Sequence, residues 1–154
     1  MTVVTTGQLV AALDSGAGAP GGELLVDATE DRSSSALLAG LKALAEIGRT
    51  GRRTVAVVGP VAGADWEEHD RIGRIVVRLD IRSLVAVGDA TRHLSTAAGL
   101  EGSWDGEAVL VADEAAAYDE VRAGLLRADS MGDDVVLVTV PAVLERLAIR
   151  AVTR

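Results

Sequence analysis

Five short runs of β-branched and aliphatic residues recur along this chain, and their spacing limits the fold more than any other feature. They fall at 24–27 (LLVD), 54–58 (TVAVV), 84–87 (LVAV), 109–111 (VLV) and 135–139 (VVLVT). Near-continuous apolar character marks strands that are buried on both faces. Longer stretches with helical spacing lie between them. Ser33 to Ile47 is apolar at 37, 38, 41, 44, 45 and 47, with serines at 33–35 to cap it and Gly48 to close it. Trp66 to Leu79 places Ile72, Ile75, Val76 and Leu79 on one face. Thr91 to Ala98 reads as a short helix, Asp113 to Arg127 as a longer one capped by Asp113, and Val143 to Val152 as a final amphipathic segment. Parallel strands need long crossovers, and right-handed crossovers spread the helices over the sheet. The pattern predicts an α/β fold: three layers, with a mainly parallel, five- to six-stranded Rossmann-like sheet and helices on both faces.

Composition narrows the function. A length of 154 residues suits one domain. The stretch DSGAGAPGG (14–22) is the clear linker, and it sets a segment 1–22, with a helix at Thr6 to Leu13, apart from a main domain 23–154. A net charge of −8 repels phosphate backbones, so nucleic acid is not an expected partner. The absence of cysteine removes thiol catalysis, disulfides and thiolate metal sites, two histidines cannot make a three-histidine zinc site, and no metal site is expected. No apolar run approaches the ~20 residues that span a bilayer, and the first residues lack the basic flank and apolar core of a signal peptide. The expected location is the cytoplasm, with no membrane partner. Phenylalanine is absent, so the core must be built from Val, Leu, Ile and Ala.

Open α/β sheets bind ligands beyond the carboxyl ends of their strands. Here those ends carry Asp27-Ala28-Thr29, Gly59-Pro60-Val61, Gly88-Asp89-Ala90, Asp113-Glu114 and Thr139. Asp27, Thr29, Gly59, Gly88, Asp89 and Thr139 are therefore candidate ligand-binding residues, with N-capping as the competing role for Asp27. No P-loop is present, and the only lysine, Lys42, lies mid-helix. No strand is followed by G-x-G-x-x-G, and Pro60 removes a backbone donor where a phosphate would want one. In Trp66-Glu67-Glu68-His69-Asp70 three carboxylates surround a histidine. A hydrogen-bonded or metal-linked cluster competes there with an acidic first helical turn, which the helix dipole favours. His93 reads as an exposed polar residue, and Asp133-Asp134 as a turn.

The order of these segments resembles the C-terminal domain of the Mur ligases, nearest to the branch that adds D-alanyl-D-alanine to the UDP-muramoyl-tripeptide. That family has a strand of the type A-V-L-G-E-M, a helix containing E-H-x-x-[IV]-G-R, and a strand ending in V-G. Val55 to Gly59, Glu68-His69-Asp70-Arg71-Ile72-Gly73-Arg74 and Val85 to Gly88 fall in the same order. Val26-Asp27-Ala28 and Ala39 to Leu44 look like the strand and helix around the family's D-x-Y-N-A-N-P-x-S motif, and Asp134 to Val138 like the strand leading to its V-K-x-S element. The resemblance spans roughly residues 23 to 140 and adds His69 to the candidates. It also makes 23–154 a Mur ligase C-terminal-like domain.

The departures matter as much. The loop after Asp27 reads ATEDRSSS, the E-M after Gly59 is Pro60-Val61, and Thr139 stands at the lysine position of V-K-x-S. The family uses ATP and magnesium, and its complete members carry a UDP-sugar domain and a P-loop ATPase domain besides this one. The resemblance thus implies a retained scaffold without catalytic residues of its own and without a cofactor in the isolated chain. The leading expectation is a binding or partner module that takes an amino acid or peptide at the strand ends, or docks on another protein. The alternatives are half of a split ligase working with a separate ATPase-bearing chain, and an unrelated nucleotide-binding α/β protein. The terminal stripe of Val143, Leu144, Leu147 and Ile149, with Arg146, Arg150 and Arg154 interspersed, either packs on the chain's own sheet or supports a homodimer.

Overall fold

Each of the five aliphatic runs is a strand, and a sixth strand precedes them. The computed structural model describes residues 1–125 and 132–152. In chain order the elements are β1 (Thr2–Thr5), α1 (Thr6–Asp14), β2 (Leu24–Asp27), α2 (Ser34–Gly48), β3 (Thr54–Val58), α3 (Trp66–Arg78), β4 (Ser83–Val87), a 3₁₀ turn at Asp89–Thr91, α4 (Arg92–Gly99), β5 (Glu107–Val111), α5 (Glu114–Leu125), β6 (Val135–Val138) and α6 (Pro141–Val152). The predicted end of the fifth helix at Arg127, Arg154 and the side chain of Arg150 lie outside the described residues. Side chains cap three of the helix starts, and for α2 and α5 the cap is the one read from sequence. The Ser33 hydroxyl accepts from Ala36 N, Asp65 Oδ1 from Glu68 N, and Asp113 Oδ1 from Ala116 N.

The six strands form one all-parallel sheet in the order β1-β2-β6-β3-β4-β5. From β1 to β5 every connection steps the same way across the sheet. Right-handed crossovers therefore place α1 to α4 on one face. The step from β5 to β6 runs backwards, so α5 crosses the other face, where α6 joins it. The side chains agree. Leu24, Val26, Ala56, Val58, Leu84, Ala86, Val135 and Leu137 pack with α1 to α4, and Leu25, Val55, Val57, Val85, Val87, Val136 and Val138 with α5 and α6.

Segment 1–22 contributes to this sheet. Thr2 to Thr5 pair in register with Leu24 to Asp27, and Leu9 of α1 is buried in the larger core. The linker after α1 is held at the sheet's lower end by Arg52. Its guanidinium donates to the carbonyls of Pro20, Gly22 and Asp133. The last helix turns part of the terminal stripe inward. Val143 and Leu147 are buried on the chain's own sheet, while Ile149 stays exposed. Among the described residues no helix is long and apolar enough to cross a membrane.

One predicted core residue is misplaced. The buried face of α3 is His69, Ile72, Gly73 and Val76, and Ile75 is only partly buried at its margin. That stripe follows i, i+3, i+4, i+7, and Ile75 falls beside it, because Gly73 turns the helix toward α4. Ile72→Ala should cost about 2–5 kcal/mol in urea unfolding, as deletion of a fully buried aliphatic side chain does. Ile75→Ala should cost clearly less; equal losses would put Ile75 back in the core.

Candidate functional site

The direction of the sheet's connections reverses at β6. The loops after β2 and β3 leave toward α2 and α3 on one face, while the loop after β6 leaves toward α6 on the other. Open parallel sheets place ligand crevices where neighbouring strands send their loops apart, and in this sheet β6 is that place. The register puts Asp27 beside Val138 and Val57 beside Val138 on the other side. Asp27, Thr139 and Gly59 thus meet at the ends of three adjacent strands.

The flank between β6 and β3 is closed by the chain itself. Thr139 is buried, and its Oγ1 accepts the Gly59 N–H at 2.9 Å while its own N–H reaches the Val57 carbonyl at 3.0 Å. A β-carbon on Gly59 would stand 2.9 Å from Val140 Cγ2, so only glycine lets the two strand ends approach this closely. The hydroxyl at the lysine position of the resembled motif therefore clasps two strands.

An open cavity lies beyond β2, at the ends of β1 and β2, and no residue of β6 lines it. It measures about 470 Å³ and is lined by Thr5, Thr6, Asp27, Glu30 and Asp31, with Gly7, Ala28 and Ala36. Asp27 Oδ1 accepts from the Thr29 N–H at 3.0 Å and from the Thr29 hydroxyl at 2.7 Å. This Asx turn, rather than a helix N-cap, fixes the carboxylate at the cavity wall. Asp31 caps the loop to α2: the Ser33 backbone N–H bonds its Oδ1 and holds its carboxyl below the ordinary value. Three carboxylates and no Lys or Arg line this cavity. It suits an ammonium or a neutral polar group and does not fit the phosphates of a nucleotide.

His69 has a different role from the one considered for its acidic surroundings. It is buried, with Nδ1 2.8 Å from the Asp65 carbonyl oxygen and Nε2 3.3 Å from the Val61 nitrogen. Nε2 accepts the Val61 N–H and Nδ1 bonds the Asp65 carbonyl, so the ring fastens the β3–α3 loop to the first turn of α3. A second brace joins that loop to the β2–α2 loop, where Ala62 N–H donates to the Arg32 carbonyl at 2.8 Å. Two of the three carboxylates near His69 pair outward. Glu68 is bonded twice by Arg71, whose hydrogen bonds lower its carboxyl below the usual value, and Asp70 pairs with Arg74. Among the described residues no group of three or more metal-ligating side chains could hold an ion.

Gly88 and Asp89 lie one strand further on. Gly88 has φ +90°, and its carbonyl accepts from the Thr91 N–H and hydroxyl. Asp89 is exposed and pairs with Arg92. The two residues shape the β4 turn and do not line the strand-end cavity. Glu30, Asp31, Thr5 and Thr6 were missing from the sequence candidates. The threonines could be found only through β1, an edge strand whose four residues give no alternating apolar signal. A larger cavity, about 640 Å³, lies at the opposite end of the sheet between Arg52, Arg53, Arg82, Asp80, Asp105 and Glu107. Arg52 is committed to three carbonyls and Arg53 to Asp134 and Gly124, and strand starts are not where parallel sheets place ligand loops. The strand-end cavity is therefore the better candidate.

No family model matches the chain. Curated relatives do. The UDP-N-acetylmuramoyl-tripeptide–D-alanyl-D-alanine ligase of Mycobacterium leprae is 41% identical over 133 residues, covering 76% of this chain and 25% of that ligase. The ligases of the same name from Mycobacterium bovis and Mycobacterium tuberculosis strain H37Rv are each 41% identical over 137 residues, covering 76% of this chain and 26% of theirs. The chain spans about a quarter of the length of the curated relatives it matches. Identity of 41% over 76% of this chain, on a three-layer parallel α/β fold, fits a MurF-like partial domain of the C-terminal type.

Proposed function

We propose that this domain serves ligation as a binding and partner module and does not join amino acid to acid by itself. The observation that carries the reading is Thr139. At the position of the family's lysine stands a buried hydroxyl already bonded to Gly59 N–H. Amide formation through an acyl phosphate needs groups that stabilise charge on a transferring phosphoryl group. The strand ends described here offer carboxylates and internally bonded hydroxyls instead. The ligand class that suits the open cavity is an amino acid or short peptide, whose ammonium would face Asp27, Glu30 and Asp31. That matches the amine-bearing D-alanyl-D-alanine in the relatives' name. ATP and UDP-linked precursors are cytoplasmic supplies, and the proposal carries that location with it.

The quarter-length match favours a second reading: the chain is the C-terminal part of an ATP-dependent ligase whose ATPase domain sits on another chain, with a homodimer as the alternative assembly. One experiment addresses both. The purified 154-residue chain is incubated with ATP, magnesium, UDP-muramoyl-tripeptide and D-alanyl-D-alanine. The expected result is no phosphate release above a buffer blank. Release that vanishes in Asp27→Ala would overturn the first reading. Turnover that begins only when a P-loop partner chain is added would establish the second.

A further inference from the structure

We propose that the exposed ring of Trp66, flanked by Asp65 and Glu67, docks an arginine-bearing segment of a partner protein. The site lies on the α3–α4 surface, outside the strand-end cavity, and stands whether or not the chain takes part in ligation. Trp66 opens α3 and is 59% exposed, the only aromatic residue among the exposed large apolar side chains of the described residues. The other two aromatics are used internally. Trp104 donates its Nε1–H to the Ile81 carbonyl, and Tyr118 is buried. One side of the Trp66 ring is set by His93 of α4, with centroids 5.5 Å apart and planes tilted by 46°. The ring therefore rests on two helices, in a position fixed by their tight packing at Gly73.

Charge selects the occupant. The neighbouring acids Glu68, Asp70 and Asp89 are neutralised by Arg71, Arg74 and Arg92. Glu67 is in no ion pair among the described residues, and the Asp65 carboxylate bonds only the backbone N–H of Glu68 there. On this surface Asp65 and Glu67, the two sequence neighbours of the exposed ring, are in no ion pair among the described residues. A cation over an indole face is attracted by the ring quadrupole, and a planar guanidinium adds stacking and two-pronged bonding to a carboxylate. An acidic or phosphate-bearing partner would meet repulsion from a chain of net charge −8. The fold already makes one such contact inside itself: the Arg146 guanidinium lies 4.2 Å from the centroid of the Tyr118 ring.

The test uses the full chain and a labelled tetra-arginine peptide, followed by anisotropy at physiological ionic strength, with far-UV circular dichroism confirming that each variant is folded. Saturable binding is expected. Trp66→Ala should weaken it about three- to tenfold, as loss of a cation–π contact does. Glu67→Gln should weaken it by a smaller factor, a tetra-lysine peptide should bind more weakly than tetra-arginine, and Glu114→Gln on α5 should leave binding unchanged. No saturable binding would overturn the proposal. So would equal affinity of Trp66→Ala and the unaltered chain, since that result marks general attraction to an acidic protein, and so would equal affinity for the two peptides.

Discussion

Replacing Gly73 with alanine should destabilise this domain, although alanine is the better helix former. In an open helix the exchange gains about 1 kcal/mol. At Gly73 a β-carbon would stand 2.3 Å from the Leu94 carbonyl oxygen, 3.1 Å from Ala97 Cβ and 3.2 Å from the Ala98 nitrogen. Two of these are backbone atoms of α4, so relief requires the whole helix to back away from α3. Leu94 and Ala98 are themselves fully buried, and moving them opens the core beneath. The overpacking term of about 1–3 kcal/mol, or more where backbone must shift, then exceeds the propensity gain. Gly73→Leu should yield little folded protein, because the total stability of a domain is only about 5–15 kcal/mol. Gly7→Ala in α1 is the control, since its β-carbon would meet nothing nearer than Thr5 Oγ1 at 3.9 Å. Urea midpoints decide. A Gly73→Ala midpoint at or above that of the unaltered chain would mean that α3 and α4 do not pack through this residue.

This result would also explain a motif. The sequence resemblance rests most firmly on Glu68-His69-Asp70-Arg71-Ile72-Gly73-Arg74. In the structure His69 fastens the preceding loop, Ile72 enters the core, Gly73 admits α4, and the charged residues pair with one another along the surface. The segment is an attachment device for one helix.

The strands were legible because a strand buried on both faces must be apolar throughout. β2, β3, β4 and β6 are buried along nearly their whole lengths. β1 was not legible for the opposite reason: it is an edge strand whose residues are mostly exposed, so Thr2–Thr5 carries no burial signal. Strand order was hidden as well. The run VVLV announces a central strand, but nothing in its periodicity says that it inserts between β2 and β3. That insertion brings the strand ends at Asp27, Thr139 and Gly59 together. Single residues at the site were harder still. His69 was weighed against the acids beside it in sequence, whereas its partners are a backbone N–H and a backbone carbonyl, which no side-chain pattern displays. The Trp66–His93 pair joins two helices and appears only once α3 and α4 are placed.

Leu137 and Gly40 should show coupled stabilities. Leu137 lies on β6, fully buried, and its Cδ1 would be 2.9 Å from a β-carbon built on Gly40 of α2. Leu137→Ala removes three carbons from the middle of the larger core and should cost about 2–5 kcal/mol, the upper part of that range applying if the cavity stays open. The cavity is bounded by α2 on one side, and α2 is held by many other buried residues, among them Leu41 and Leu44. It therefore cannot collapse freely. Gly40→Ala alone gains helix propensity of about 1 kcal/mol but presses a methyl group onto Leu137, so its net effect should be near zero or unfavourable. In the Leu137→Ala background the same methyl group enters vacated space. The double variant should then be more stable than the sum of the single changes predicts, by on the order of 1 kcal/mol, which is the size expected for residues in direct contact. A double-mutant cycle by urea unfolding measures this term. Strict additivity would show that α2 is not seated on β6 through these two residues, and the close approach of helix to central strand would have to be held elsewhere.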